Sequence, residues 1–478
     1  MKNTLVDWFL KTAKESRAYK SFLLENNVNI NLIKDNNSFF KYVPISNKKN
    51  YIEKFKVKDL AISSIHRETI YASSGSSGEP TYWARSKYED IIGRDRHEFF
   101  VNQIFNIKKE ESTLVLICFS MGMWIAGGYT ASSFIGVSRN GYNLTIATPG
   151  IDKKEIYNLL RRLSSDFENI IIAGYPPFLL DLCRNFKDEN IKIPKKIFFL
   201  GSGDMFSEEA RDEISAICRI QFPEKNFIDV YGSADAGLMA FETPLSIILR
   251  RLARKNKELR QSLFGESTFL PLLAQYDESH IFFENVDREL VLTRFGTIPL
   301  IRYAIHDIGR IIKYDEMQTI LKKLGLIKEI GKVLNKNYNF PFITVHGRTD
   351  VALTFYALNI YPENLSMVLE NKNIKPWVTG SYGVYTKADL KNKGQQKFFV
   401  RLELKNKLKS SKILKSKITD FFSNSLAHIN SEYRKLCEIM PSEARPILEL
   451  FNYEDKNFSN IIGRGVLYVK GKKPKMLL

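Results

Sequence analysis

The chain has 478 residues, of which 44% are hydrophobic and 12% aromatic, so it can bury a sizeable core and is neither disordered nor fibrous. This length exceeds what one compact core usually accommodates and predicts two or three domains. The 71 basic and 53 acidic residues give a net charge of +18. The lysines are scattered without an aromatic-rich binding motif, which favours polyanionic small ligands over nucleic acid.

Neither targeting signals nor cysteines in the chain indicate secretion. The first residues lack the apolar stretch of a signal peptide, and no apolar run approaches the roughly 20 residues of a membrane span. The cysteines at 118, 183, 218 and 437 follow no metal-binding spacing and occur in apolar or helical surroundings. We therefore expect buried free thiols in a cytoplasmic protein with no integral membrane segment.

In chain order, the pattern changes from helical to alternating strands and helices. Residues 1–60 are predicted to be helical, with Pro44 opening a segment over residues 45–55. From residue 112, short apolar runs predict buried strands at 114–119, 170–173 and 197–200, with helices at 153–163 and 207–219 between or after them. Strands that alternate with helices predict an α/β fold with a largely parallel sheet.

The stretch 243–276 departs from this alternation. Residues 248–255 form a basic amphipathic pattern, which predicts a helix with a solvated basic face and an apolar stripe on the protein. A membrane-surface or partner-binding role is left open for it. Two short apolar runs, 281–284 and 289–293, are separated by Asn285 and Asp287 and predict a hairpin. After residue 350 the chain becomes richer in lysine and loses the pattern of buried strands.

A serine-glycine loop follows the β-prone residues 69–72. Its sequence, Ser73 to Gly78, is that of a phosphate cradle, because glycines let successive N–H groups face one anion and serines add donors. A plain turn would have a similar composition. The Walker P-loop pattern is absent, since Gly75 and Gly78 are too close and Glu79 follows them.

Three later segments arrive in a particular order and spacing. They are Asp229 to Asp235 (DVYGSAD), Pro299 to Arg310 (PLIRYAIHDIGR), and Gly347 to Asp350 (GRTD) followed by Asn359 to Pro362 (NIYP). With the serine-glycine loop, they resemble the adenylate-forming superfamily, specifically its phenylacetate-CoA-ligase-like branch. The family patterns in the same order are SSGTTGxPT, YGxTE, PLIRYRTGDxGR, and GRxDD followed by GxNxFP.

This resemblance implies a domain organisation and an activity. It implies an N-terminal adenylation domain over residues 1–349, with mixed, mostly parallel sheets, and a small mobile α+β domain over 350–478. The expected reaction activates a carboxylic acid with ATP and Mg²⁺ as an acyl-adenylate, then transfers the acyl group to coenzyme A or a carrier-protein pantetheine. Transfer to an amine, or a degenerate member that only binds nucleotide, remains an alternative.

The resemblance also implies the ATP site. The loop would bind the β- and γ-phosphates, the segment at 202–204 would close over adenine, and Tyr231 would stack on it. Asp307 and Arg348 would hold the ribose, while Asp235 would bind Mg²⁺. The complete set is Ser73, Ser74, Gly75, Ser76, Ser77, Gly78, Ser202, Gly203, Asp204, Tyr231, Gly232, Asp235, Asp307 and Arg348.

Several positions depart from the family pattern. Glu79 stands where a lysine commonly follows the second glycine, so Arg85 or Lys87 would have to compensate, or turnover is low. Ala234 lacks a phosphate-contacting hydroxyl, Val351 replaces an aspartate and Ala357 a glycine of the thiol tunnel. His306 replaces a glycine beside the ribose site, where we expect it to fill space.

The expected transfer machinery lies in the last third of the chain. Asp350 matches the hinge about which the small domain rotates. Two segments near the C-terminus, residues 430–434 and 471–475, resemble those of plant hormone acyl-acid amido synthetases. This resemblance makes Lys472 the candidate catalytic lysine, with Lys470 and Lys473 as alternatives.

The acyl pocket is expected between two segments that carry Trp124, Gly127, Gly128 and Tyr175. Small and aromatic residues together suit a flat or modest apolar acid, although ordinary core packing would explain them equally. The expected partners are a small carboxylic acid and, if the acyl acceptor is a carrier-protein pantetheine, an acyl-carrier protein. A homodimer is left open.

Overall fold

A computed structural model of the chain describes residues 4–73, 80–203, 205–265, 270–334, 339–348, 353–356, 358–389, 395–458, 464–468 and 475–477. The chain divides into two compact units. The first comprises residues 1–73 and 82–347, and the second comprises residues 74–81 and 348–478. The assignment of residues 350–478 as a mobile domain stays a prediction.

The first unit is built from helices around a large sheet. Its α-helices are α1 Thr4–Glu15, α2 Arg17–Glu25, α3 Asn36–Tyr42, α4 Val57–Leu60, α5 Lys87–Phe99, α6 Ile125–Arg139, α7 Lys153–Leu163, α8 Pro176–Arg184, α9 Glu208–Cys218, α10 Pro223–Asn226, α11 Pro244–Lys255, α12 Lys257–Phe264, α13 Tyr314–Lys323 and α14 Ile327–Leu334. Shorter 3₁₀ turns cover Ile30–Leu32, Ile52–Lys54 and Ser164–Asp166, and a π-helical turn covers Phe100–Ile104.

Its strands are β1 Thr69–Ser73, β2 Thr81–Arg85, β3 Thr113–Cys118, β4 Leu144–Ala147, β5 Asn169–Gly174, β6 Ile197–Ser202, β7 Phe227–Ser233, β8 Gly237–Phe241, β9 Leu272–Gln275, β10 Phe282–Val286, β11 Glu289–Arg294, β12 Leu300–Ile312 and β13 Phe342–Arg348. Strands β1 and β2 pair by themselves, and the others form an 11-stranded sheet in the order β10-β11-β12-β13-β9-β8-β7-β6-β5-β3-β4. Neighbours from β4 through β7 pair in parallel, whereas β7–β8 and β8–β9 are antiparallel. The predicted α/β class is confirmed.

The parallel strands form where the apolar runs predicted them. Every residue of β3 and β5 is buried, because helices cover both faces of a parallel sheet. The predicted helix at 153–163 is found as α7, and the helix predicted at 207–219 is found as α9. Ser207 caps α9 by accepting the Ala210 N–H at 3.0 Å. The hairpin is also confirmed: β10 and β11 pair antiparallel around Asp287 and Arg288, both at positive φ.

The helical prediction for residues 45–55 is wrong except for the short 3₁₀ turn Ile52–Lys54. Ser46 instead makes sheet-like bonds with β12, donating to the Arg302 carbonyl at 2.9 Å and accepting from Ala304 N–H at 2.8 Å. Asn47 and Asn50 then each accept the other's backbone N–H, at 2.8 and 2.7 Å. Such side-chain bonds compete with the helix and favour a turn.

The prediction of a solvated basic face for residues 248–255 is wrong for Arg250. This residue lies in α11, is 1% exposed and donates to the Phe206 and Pro271 carbonyls at 2.8 and 2.9 Å. Its guanidinium also lies 2.8 Å from the Glu208 carboxylate. Arg251, further along the helix, pairs with Glu208 and Asp212. Arg250 and Arg251 of this helix therefore form ion pairs within the first unit.

The second unit combines helices with a separate sheet. Its helices are α15 Pro362–Glu370, α16 Lys412–Ile429, α17 Ser431–Ile439 and α18 Pro441–Ala444, and its strands are β14 Leu353–Phe355, β15 Leu358–Ile360, β16 Val378–Asp389, β17 Gln395–Leu404, β18 Ile447–Phe451, β19 Arg464–Tyr468 and β20 Lys475–Leu477. Strands β14 and β15 pair alone, and the rest form a sheet in the order β18-β17-β16-β19-β20. Phe398, Phe422 and Tyr433 pack in its core.

Two further expectations concern membranes and thiols. Among the described residues, no helix combines the length and hydrophobicity needed to cross a bilayer. The four cysteines are free thiols, three of them buried and Cys437 half-buried. Burial raises the pKa of the Cys118 thiol well above its usual range, so this thiol is expected to be unreactive.

Burial of a histidine in α5 should make stability pH-dependent. His97 is 2% exposed, and burial lowers its pKa from 6.5 to about 4. Between these two pKa values the unfolded chain binds a proton that the folded chain does not bind. The free energy of unfolding therefore decreases as the pH falls, by about 2 kcal/mol between pH 7 and 4.5. Replacing His97→Gln should flatten this slope in urea titrations at the two pH values. The exposed His428→Gln variant should keep the wild-type slope, and equal slopes in both variants would refute the assignment.

Candidate functional site

Four neighbouring parallel strands end at one edge of the large sheet. Their register aligns Cys118 with Gly174, Gly174 with Gly201, and Ser202 with Val230. The ends of these strands and the segments that follow them carry the predicted acyl-pocket residues, the predicted adenine residues and Asp235. In open α/β sheets, ligands bind at the carboxyl ends of parallel strands, and the topology brings the segments with predicted adenine, metal and acyl roles to this one edge.

The predicted adenine and ribose residues contact each other directly. The Tyr231 hydroxyl donates a hydrogen bond to Asp307 Oδ2. Tyr231 lies two residues before the end of β7, whereas Asp307 lies on β12 and is 6% exposed. This pair links two strands that are not neighbours in the sheet. Next to Tyr231, a Cβ on Gly232 would lie 2.9 Å from the Gly237 carbonyl oxygen, so the turn at this point requires glycine.

The predicted metal-binding carboxylate is held by a tyrosine that sequence reasoning missed. Tyr303 Oη donates to Asp235 Oδ2 at 2.7 Å, and Tyr303 is 1% exposed. Asp235 itself is half-buried in the turn between β7 and β8. Tyr303 belongs to the PLIRY segment, and the sequence patterns predicted no role for it. Both candidate carboxylates thus receive a tyrosine hydroxyl, and β12 contributes one member of each pair.

Arg85 supports the same turn from β2. Its Nη2 donates to the Ala234 and Asp235 carbonyls at 2.7 and 2.8 Å. The side chain is 3% exposed, and burial lowers its guanidinium pKa despite nearby Glu89. Arg85 is therefore engaged in shaping the turn, whereas Lys87 at the start of α5 is exposed. Of the two cations expected to compensate for Glu79, Arg85 has a structural role.

A buried ionic cluster lies directly behind the adenine segment. Asp229, two residues before Tyr231, accepts the Phe206 N–H at 2.6 Å, and its own N–H donates to Glu242 at 3.1 Å. Arg211 Nη2 lies 2.8 Å from the Glu242 carboxylate. Burial, and then the nearby Glu242 charge, raise the pKa of Asp229. The Phe206 bond secures the chain just after the predicted adenine cover at 202–204, a role the sequence did not reveal.

Glycine at position 201 is required by the same cluster. A Cβ there would lie 2.2 Å from Asp229 Oδ1 and 2.9 Å from a Pro176 side-chain carbon. Gly203 follows with φ at +89°, a conformation that favours glycine. Ser202 Oγ donates to the Val230 carbonyl at 3.2 Å. Ser202, the first residue of the predicted adenine cover, is thus hydrogen-bonded to β7.

The start of the serine-glycine loop has two donors around one hydroxyl. Ser73 Oγ accepts hydrogen bonds from Lys48 Nζ and Trp83 Nε1, each at 3.1 Å. Trp83 is fully buried on β2. Lys48 lies in the segment wrongly predicted as helical, so no sequence pattern indicated that it would reach the loop.

The two predicted acyl-pocket segments lie at different places along the edge. Ala72 N–H donates to the Met123 carbonyl at 2.9 Å, which places Trp124 beside β1. A Cβ on Gly128 would meet the Tyr71 ring at 3.0 Å. Gly127 is closely packed too, because a Cβ there would lie 2.5 Å from the Ser120 carbonyl oxygen. Tyr175 follows β5 and is the N-cap residue of α8. Close packing therefore explains why both positions are glycine. The role of these residues in an acyl pocket remains a prediction.

His306 occupies a bulged position on β12. Its φ is +61°, and the β11–β12 register shifts next to it. The imidazole Nδ1 lies 3.1 Å from a Glu289 carboxylate oxygen. The bulge explains why the resembled family has glycine here, since glycine adopts this backbone conformation without strain.

Part of the predicted site lies outside the described residues. This applies to Ser74, Gly75, Ser76, Ser77, Gly78, Asp204, Asp350 and Lys472, and to the side chain of Arg348 at the end of β13. Their predicted roles are neither supported nor contradicted by the described geometry.

Comparison with known proteins identifies the fold. No protein-family model matches the sequence, and no curated protein matches it either. Among solved structures, 2-hydroxyisobutyryl-CoA ligase in complex with 2-HIB-AMP and CoA aligns over 98% of this chain and 87% of its own, with a TM-score of 0.60 and 13% identity. The chain has the fold of this CoA ligase. At this identity the likeness shows the fold alone, and the predicted fold type is confirmed.

A weaker likeness extends to an amide bond synthetase, McbA from Marinactinospora thermotolerans. It is 10% identical, with a TM-score of 0.46 over 81% of this chain and 65% of that protein. A second structure of the 2-hydroxyisobutyryl-CoA ligase, in an open conformation, gives a TM-score of 0.49 at 13% identity over 96% and 90% of the two chains.

The two candidate cations near the loop should differ in their effect on stability. Arg85→Met removes the donors of two carbonyls and one of the two charges, Arg85 and Arg294, that lower the pKa of Glu89, which is 3% exposed. Uncompensated buried groups of this kind cost about 3 kcal/mol of unfolding free energy. Lys87→Met, at an exposed position, should change it by less than about 0.5 kcal/mol. Urea titration of both variants measures the difference, and equal stabilities would contradict the structural role of Arg85.

Proposed function

We propose that the chain activates a carboxylic acid with ATP as an acyl-adenylate and transfers the acyl group to a thiol, either coenzyme A or a carrier-protein pantetheine. The observation that carries the proposal is the pairing of Tyr231 with Asp307 and of Tyr303 with Asp235. Both pairs lie at the carboxyl edge of the sheet of a protein with the fold of a CoA ligase. The sequence motifs place nucleotide-binding roles on three of these four residues.

The chemistry matches what these residues supply. A carboxylate is already a nucleophile, so its oxygen attacks the α-phosphorus of ATP and the bond to pyrophosphate breaks without a catalytic base. Such a reaction needs positioning and stabilisation of the charge on the phosphates. Asp307, oriented by the Tyr231 hydroxyl, would accept from the ribose hydroxyls and fix the nucleoside. Its low exposure limits competition by water.

The Mg²⁺ expected for this reaction fits a single carboxylate. Among the described residues there is no cluster of three or more His, Cys, Asp or Glu side chains that could hold a metal ion. Mg²⁺ commonly binds through one or two carboxylates together with substrate phosphates and water. Asp235, oriented by Tyr303, would supply that carboxylate. The metal would neutralise charge on the phosphates.

The second half-reaction rests on the sequence resemblance. In this proposal Asp350 is the hinge of a mobile domain, and Lys472 reaches the carboxylate during adenylation and withdraws before the thiol attacks. The phenylacetate-CoA-ligase-like branch, a flat or modest apolar acid bound near Trp124 and Tyr175, and a cytoplasmic location belong to the same proposal. Ala357, where the family has glycine, would narrow the path of the thiol.

Pyrophosphate exchange over a panel of aryl, fatty and amino acids tests the proposal. At least one acid should give Mg²⁺-dependent exchange, and Asp307→Asn should reduce it at least tenfold, because loss of about 1.4 kcal/mol of transition-state positioning is a factor of ten. Asp315→Asn, an exposed carboxylate at the start of α13, serves as the matched control and should leave exchange unchanged.

The products formed with coenzyme A and with amines then identify the acceptor. A thioester supports the proposal, whereas an amide as the sole product assigns the chain to the alternative acceptor class. ATP binding without turnover on any acid would indicate a nucleotide-binding protein that lacks the activity. Unchanged exchange in a folded Asp307→Asn variant would contradict the ribose role on which the proposal depends.

A further inference from the structure

One lysine from the N-terminal part of the chain reaches the start of the serine-glycine loop. Lys48 Nζ lies 3.1 Å from the Oγ atom of Ser73, which is the first residue of the loop and the one that the structure describes. The two residues are separated by 25 positions in sequence, and Lys48 is half-buried. A cation therefore lies beside the first residue of a segment whose composition predicts phosphate binding.

The hydrogen bonds around Ser73 fix the direction of its hydroxyl proton. A serine oxygen has two lone pairs and one O–H donor. Lys48 Nζ and Trp83 Nε1 are both donors without acceptor capacity, so they occupy both lone pairs. The hydroxyl must then donate its own proton to a third group. Ser73 is thus prepared as a donor, polarised by the ammonium that it accepts from, which is the state an anion ligand requires.

The backbone that carries Lys48 is tied to the strand that organises the site. Ser46 forms a parallel bridge with Tyr303, and its Oγ donates to the Ile301 carbonyl at 3.0 Å. The reciprocal bonds between Asn47 and Asn50 then close the turn in which Lys48 lies. Because Tyr303 also holds Asp235, the lysine and the candidate metal carboxylate are positioned from the same point on β12.

The charges near the loop leave a cationic role to be filled. The loop is followed in sequence by Glu79, and Arg85 is engaged with backbone carbonyls. We infer that Lys48 and Ser73 form an anion-binding pair that takes the terminal phosphates of the nucleotide, with Lys48 as the cation that the loop itself lacks. The inference rests on the proposed function for the identity of the anion as a nucleoside triphosphate.

Equilibrium binding of ATP, AMP and pyrophosphate, each in the presence of Mg²⁺, tests this role without any acid substrate. Lys48→Met keeps most of the aliphatic stem and removes the charge. It should weaken ATP and pyrophosphate binding about tenfold, since hydrogen bonds to charged groups contribute about 1.5–3 kcal/mol, and leave AMP binding within about twofold. Lys58→Met, at an exposed lysine on α4, is the matched control and should bind all three ligands as the wild type does.

Two further variants keep the test independent of folding defects. Lys48→Arg retains the charge and should recover part of the ATP affinity. Ser73→Ala, which removes the oriented donor but no charge, should lower ATP affinity several-fold and again spare AMP. Thermal melting of each variant confirms that the folded fraction is unchanged.

The outcomes separate the inference from the proposed function. If the wild type binds ATP and Lys48→Met binds it equally well, the inference is overturned while the proposed function stands. Equal losses of ATP and AMP affinity would also overturn it, because the pair would then act on the nucleoside or on the fold. A wild type that binds neither ATP nor pyrophosphate would overturn the proposed function and the inference together.

Discussion

Strand β12 is the constraint on which the candidate site depends. Tyr303 on this strand donates to Asp235, and Asp307 on the same strand accepts from Tyr231. The strand also receives Ser46, which positions the Lys48 segment. Three separate parts of the chain are therefore aligned by one strand, and a register error of one residue would turn these side chains to the opposite face.

The buried charges behind the adenine segment place a second constraint on the site. Asp229, Glu242, Glu208, Arg211 and Arg250 are each at most 1% exposed, so each carries a desolvation cost that only its partners offset. Removing one partner would leave another charge buried and unpaired. The cluster secures the chain after the predicted adenine cover through the Asp229–Phe206 bond, which links the interior of the first unit to the carboxyl edge of the sheet.

Sequence patterns predicted the elements that depend on local chemistry. The apolar runs gave β3, β5 and β6, and the cap and charge pattern gave α9, because burial and capping are read from neighbouring residues. They failed at residues 45–55, where bonds to a strand more than 250 positions away decide the conformation. For the same reason Tyr303 and Lys48 were not recognised as partners of the site, and Arg85 was expected at the phosphates rather than at the turn, whereas motif order pointed to Asp235, Tyr231 and Asp307.

The Mg²⁺ dependence of ATP binding in Tyr303→Phe tests most directly whether β12 orients the site. This change keeps the aromatic ring and removes only the hydroxyl that holds Asp235. The account predicts that half-maximal ATP binding requires about tenfold more Mg²⁺, since a hydrogen bond to a charged group contributes about 1.5 kcal/mol or more, while AMP binding without Mg²⁺ is unchanged. An Mg²⁺ dependence equal to that of the wild type in the folded variant would contradict it.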